Sequence, residues 1–299
     1  VKYFKPLRKL YWHFGTVNSV KFSPDDTKVV FSSDDNTARL LDIALEKEIE
    51  IFKGHLDRVN DAQFSPNGDV IVTCSRDKTI RLWDVKTGKG IIQLKGHTDN
   101  VSSVKFSLNG DTIISSSYDR TIRLWSVQFG IEIKVFRWHS DAVNHVQFSP
   151  DGETIVSASN DATIILWPVK SSEKINGLFG HSDHVLKAQF SPNQRYIVSC
   201  SLDKTIRIWD VASGKELTKL LEHSRGVNDV MFFPDSQTIL SCSNDLTIRL
   251  WDVALGVEIQ KLGGHSTVVT GIDISHDGNT IVSCSSDGTI QILGSMGNT

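Results

Sequence analysis

A chain of 299 residues buries roughly three quarters of its unfolded surface and can hold two average domains or one large all-β domain. Its net charge of −3, with both signs evenly mixed, excludes the broad basic field that draws proteins to nucleic acid or anionic membranes, so neither partner is expected. Apolar runs are short and interrupted, and the basic segment 1–11 has no apolar centre, so neither a membrane span nor a secretion signal is expected.

Taken in chain order, the first expected element is a strand over residues 7–11 (LRKLY). From there one unit repeats seven times with a constant period of 42 residues and no insertion. His13, His55, His97, His139, His181, His223 and His265 mark it, as do Asp35, Asp77, Asp119, Asp161, Asp203, Asp245 and Asp287. Six positions beyond each Asp stand Trp83, Trp125, Trp167, Trp209 and Trp251, with Leu41 and Leu293 in the first and last copies. Within a unit, residues 101–107 (VSSVKFS) alternate apolar and polar, the two-residue period of a half-wet strand, here called strand a. Pro-Asn-Gly at 66–68 and Pro-Asp-Gly at 150–152 are tight-turn signals. Strand b follows, as at 154–159 (TIVSAS); the landmark Asp sits in the next turn. Strand c, as at 79–83 (TIRLW), is rich in β-branched and large apolar residues. A Gly-containing turn then leads to strand d, as at 90–95 (GIIQLK).

A lone four-stranded meander leaves both faces wet, and seven set radially cover one another. The last copy ends near Leu293 without a strand d of its own. The expectation is one all-β domain over residues 1–299, a seven-bladed β-propeller. Its last blade, about 269–293, is to be completed by residues 7–11 lying beside 289–293.

Gly54-His55, Asp77 and Trp83-Asp84, with their counterparts, resemble the WD40-repeat (G-protein β-like) family over essentially the whole chain. The resemblance implies that a His, a strand-b Ser or Thr, the turn Asp and the Trp form a hydrogen-bonded tetrad that locks each blade. The full sets are His55, Thr73, Asp77, Trp83; His97, Ser115, Asp119, Trp125; His139, Ser157, Asp161, Trp167; His181, Ser199, Asp203, Trp209; and His223, Ser241, Asp245, Trp251. The end copies depart, with Phe31 and Leu41 in the first and Leu293 in the last.

His, Ser and Asp in one unit also suit a hydrolase, since that trio can build nucleophile, base and orienter. Five complete copies in identical phase are a fold requirement, whereas an active site needs one special constellation. No catalytic residue, metal or cofactor is therefore expected: no phosphate-binding Gly loop is present, and His145, His184 and His276 have no ligand spacing. Cys74, Cys200, Cys242 and Cys284 each fall three residues before a landmark Asp, which makes them small strand-b residues and free thiols of a reducing compartment.

The family resemblance places recognition at the third and fifth residues after each His and at the residue before each Asp. Arg58, Arg76 and Tyr118 then lie on adjacent blades, two cations and an aromatic suited to an acidic or phosphorylated peptide. His184, Leu186 and Leu202 form a small apolar patch, and Asn60, Asn144 and Asn228, with Asn18, ring the channel mouth, where they grip a peptide backbone or order water. The expected function is a non-catalytic, monomeric scaffold for protein or peptide partners, cytoplasmic or nuclear. The alternatives are a propeller enzyme or small-ligand sensor using the central channel, and the receptor module of a longer multidomain protein, with which an opening Val1 is compatible.

Overall fold

The computed structural model describes residues 2–11, 15–171 and 173–296, which form seven four-stranded antiparallel sheets. In blade 2, Val59–Phe64, Val70–Ser75, Thr79–Asp84 and Gly90–Lys95 are strands a to d, paired in that order. The turn between b and c places Lys78 in the left-handed region, φ 71°. Side-chain residues resist that conformation, and Asp77 holds it by accepting from the Thr79 backbone N–H (2.9 Å) and hydroxyl (2.7 Å).

Strand a meets strand b with one unpaired residue in every blade, as between Val59↔Ser75 and Asp61↔Cys74. Such a bulge re-aims the side chain of the extra residue. The bulged residues are Asn18, Asn60, Ser102, Asn144, Leu186, Asn228 and Thr270.

The apolar core lies between blades rather than within them. One cluster joins Ile122, Leu124 and Phe136 of blade 3 to Val143, Ile155 and Trp167 of blade 4, and six more repeat the arrangement among the described residues. Each buried Trp thus stands on the preceding sheet and contributes about 2–3 kcal/mol of burial.

The ring closes as the repeat phase predicts. Strand Tyr3–Tyr11 pairs antiparallel with Thr289–Met296, with Lys9↔Gln291 and Leu10↔Ile290 in register. The closing strand begins at Tyr3 rather than at 7. Its register shifts between Pro6 and Arg8, and an outer edge tolerates a proline that has no N–H to donate. Phe4 and Leu10 are buried, in the clusters on either side of blade 7.

Candidate functional site

In blades 2 to 6 the four landmark residues meet in one chain of hydrogen bonds. In blade 5 the Trp209 indole N–H donates to Ser199 Oγ (2.9 Å), Ser199 Oγ lies 2.8 Å from His181 Nε2, and His181 Nδ1 lies 2.8 Å from Asp203 Oδ2. Every group has a partner if the hydroxyl donates to Nε2 and Nδ1–H donates to the carboxylate, which requires a neutral ring. Burial indeed pushes the His97, His181 and His223 pKa values down. Burial alone would raise Asp203, but donation from His181 and Thr205 outweighs it and holds the carboxyl well below its usual range. His55 with Thr73, Asp77 and Trp83, His97 with Ser115, Asp119 and Trp125, His139 with Ser157, Asp161 and Trp167, and His223 with Ser241, Asp245 and Trp251 repeat these contacts at 2.8–2.9 Å.

The seam blades differ. In blade 7, His265 keeps Ser283 (2.8 Å), but its Nδ1 faces the Thr289 hydroxyl at 3.0 Å, while Asp287 takes the Ser266 hydroxyl at 2.6 Å. Without a carboxylate on the ring, burial carries the His265 pKa down to about 4. In blade 1, buried Phe31 and Leu41 replace the hydroxyl and the indole together, so neither leaves an orphan. His13 lies outside the described residues.

The bulged positions turn out to be fasteners. The Asn18 side-chain amide donates to Val59 O (2.9 Å), Asn60 to Val101 O (2.7 Å), Asn144 to Val185 O (2.9 Å) and Asn228 to Val269 O (2.9 Å), always one blade ahead. The Ser102 and Thr270 hydroxyls do the same to Val143 and Val17, the latter across the seam. The four amides of the channel mouth thus each donate to the backbone of the next blade while the residues stay half-buried. A short hydrogen-bonding residue at six of seven equivalent positions was the signal for this. Leu186 is the exception; it packs partly buried against the core between blades 5 and 6. Leu202 and His184 are joined by a backbone bond of 3.0 Å, and all three residues are half-buried.

On blades 2 and 3, Arg58 and Arg76 are exposed, and Tyr118 is 44% exposed. Burial raises the Tyr118 pKa against the opposing pull of the nearby Arg76 cation, so the phenol stays protonated. Asp34 of blade 1, which the spacing alone did not link to them, reaches Arg58 at 3.2 Å. A pair whose cation is exposed in this way contributes about 0–1 kcal/mol and yields readily to a better partner.

Strands a from all seven blades line an axial cavity of about 450 Å³, including Lys21, Gln63, Lys105, Gln147, Gln189, Met231 and Asp273. Charges lining it or buried beside it pair across blade boundaries: Lys21 with Asp273 and Lys105 with Asp61, both at 3.2 Å, and Lys187 with Asp229. His145 stands among them with both ring nitrogens buried and without a hydrogen-bond partner among the described residues. Burial, then Lys187, Lys105 and Lys21, depress its pKa far below the usual value, so it is neutral. Among the described residues no group of three or more His, Cys, Asp or Glu side chains could hold a metal ion.

A family model described as WD domain, G-beta repeat matches residues 4–42, 46–84, 88–126, 130–168, 172–210, 214–252 and 256–292. No curated protein matched the chain. Each matched unit carries strand d of one blade followed by strands a, b and c of the next, so the first unit supplies the strand that completes blade 7. On seven matched repeats and seven such blades, the chain belongs to the WD40-repeat family of β-propellers.

Proposed function

We propose that this propeller is a non-catalytic scaffold that binds an acidic or phosphorylated segment of another protein on the face carrying Arg58, Arg76 and Tyr118. One observation carries the reading. The recurring His, Ser, Thr and Asp side chains are bonded to one another in five successive blades, whereas these three non-recurring side chains project from adjacent blades with their charge or ring accessible. Arg and Tyr are residue types that dominate interface energetics, and a guanidinium matches a carboxylate or phosphate in two-pronged geometry.

WD40 propellers generally bind proteins, and that general role supports the reading. A ligand of the central channel is less favoured, because the Lys and Asp side chains there already neutralise one another. Four buried free thiols fit the reducing cytoplasm or nucleus. Affinity capture from lysate with the parent and with Arg58→Glu/Arg76→Glu tests the face. The double variant is expected to keep the parent melting temperature and lose its acidic partners; an unchanged set of partners would refute the assignment.

A further inference from the structure

We propose that the outer rim of blade 2 holds a second docking point for an acidic group of a protein partner, centred on Arg81. This rests on the scaffold reading above and extends it from the face over the rim. In four blades a strand-c arginine is closed by a glutamate at the start of strand d: Arg39 with Glu48 at 2.9 Å, Arg249 with Glu258 at 2.5 Å, and Arg123 with Glu132 and Arg207 with Glu216. In blades 4 and 7 both members are replaced together, by Ile165 and Lys174 and by Gln291 and Pro6. Only blade 2 keeps the cation and lacks the acid. Gly90 stands opposite Trp83 in the register where Glu132 stands opposite Trp125.

Arg81 is nonetheless held in the pose of its equivalents. A Cβ on Gly54 would meet Arg81 Nη1 at 3.0 Å and Trp83 at 3.1 Å; a Cβ on Gly96 would meet Arg123 Nη1 at 2.8 Å and Trp125 at 2.9 Å. Its Nε is buried without an acceptor, and the guanidinium has no ion pair among the described residues, only the Trp83 ring with its centroid at 5.9 Å. The surroundings reinforce the demand for negative charge. Lys53, beside Gly54, and Lys95, on the neighbouring strand, are exposed, as are Lys78 and Arg76 at the head of strand c. A carboxylate or phosphate oxygen carried by a polypeptide supplies what Gly90 does not. A partner lying across Arg58 and Arg76 reaches it by continuing over the edge of the same blade.

The test measures fluorescence anisotropy with two labelled peptides, an octaglutamate and the same peptide with one central phosphoserine, against the whole chain at about 50 mM salt, where surface charge is weakly screened. Arg81→Gln is expected to weaken binding by about 3- to 10-fold, as the loss of one charged contact does. Gly90→Glu should weaken it comparably while raising the melting temperature, because the internal carboxylate then closes Arg81. A Cβ at Gly90 lies 3.6 Å from Trp83, so the substitution fits. Arg123→Gln, whose cation is already paired, should leave affinity unchanged. A larger loss with the phosphopeptide assigns the group as phosphate; equal losses assign it as carboxylate. If Arg81→Gln and Gly90→Glu bind either peptide as the parent does, or the parent binds neither peptide, the rim site is wrong. If instead Arg58→Glu/Arg76→Glu alone binds as the parent does, the face assignment falls and the rim site stands.

Discussion

Blades 2 to 6 and the two blades at the seam solve the same packing problem with different chemistry. In the former, a Trp, a hydroxyl, a His and an Asp are braced in series, and the carboxylate at the end also holds the left-handed residue of the b–c turn. In blade 1 the hydroxyl and the indole have given way to Phe31 and Leu41, and in blade 7 the His no longer reaches its Asp. The seam is held instead by the strand Tyr3–Tyr11 and by His276 with Asp26 at 2.8 Å, beside a Lys21–Asp273 pair and a Thr270–Val17 fastener of the kind other blade boundaries also have. The comparison teaches that internal bracing and closure are separable, and that a ring can omit the first where it has the second.

The largest expected effect breaks the seam. Phe4→Ala/Leu10→Ala empties two buried positions of the closing strand, each worth about 2–5 kcal/mol, and should lower the melting temperature more than any single brace variant does. A fall no greater than that of a surface substitution would show that closure does not depend on this strand. Next, Asp203→Ala removes the end of an intact brace and is expected to cost about 3 kcal/mol in denaturant unfolding, because the neutral His181 ring and the turn lose their charged acceptor. Asp287→Ala, where the His bond is already absent, should cost about 1–2 kcal/mol; equal losses at the two sites would erase the distinction between interior and seam.

Acid sharpens the same contrast. An unfolded His takes up its proton near pH 6.5 and His265 in the ring only at about 4, so between those values the unfolded state holds more protons and stability falls as pH falls, by up to about 1.4 kcal/mol per unit. His265→Gln should therefore lose less stability than the parent between pH 7 and 4.5, measured by urea unfolding at each pH. A parallel pair of curves would mean that His265 takes up its proton alike in both states. The smallest expected effect is Asn144→Ala, which removes one fastener between blades 4 and 5 and should cost about 1 kcal/mol without altering the far-UV spectrum.

The repeat period made the blade number, the strand order and the closing strand legible, because each is a matter of phase: Leu10 had to be a strand d, and only the last blade lacked one. The landmark His, Asp and Trp were legible for the same reason; that they join a strand-b hydroxyl in one brace is what the family resemblance implied. Side-chain direction was not. Asn60, Asn144 and Asn228 read as rim residues until the bulge in strand a turned their amides onto the next blade, and a bulge is a feature of pairing that spacing does not encode. Contacts between blades were hidden too. Asp34 on Arg58 and Lys105 on Asp61 join residues in different sheets, whose approach depends on how the sheets are arrayed. The solitary state of Arg81 needed both kinds of knowledge, the column of equivalents and the register that sets Gly90 across from Trp83.

The offset between matched units and sheets has a consequence for synthesis. Residues 3–11 leave the ribosome before every other strand of the ring, yet their pairing partner, Thr289–Met296, leaves last. Until Thr289–Met296 is made, the nascent chain holds an adhesive ribbon with no mate and a growing crescent with one raw end, a liability for cross-pairing between neighbouring polysomal chains.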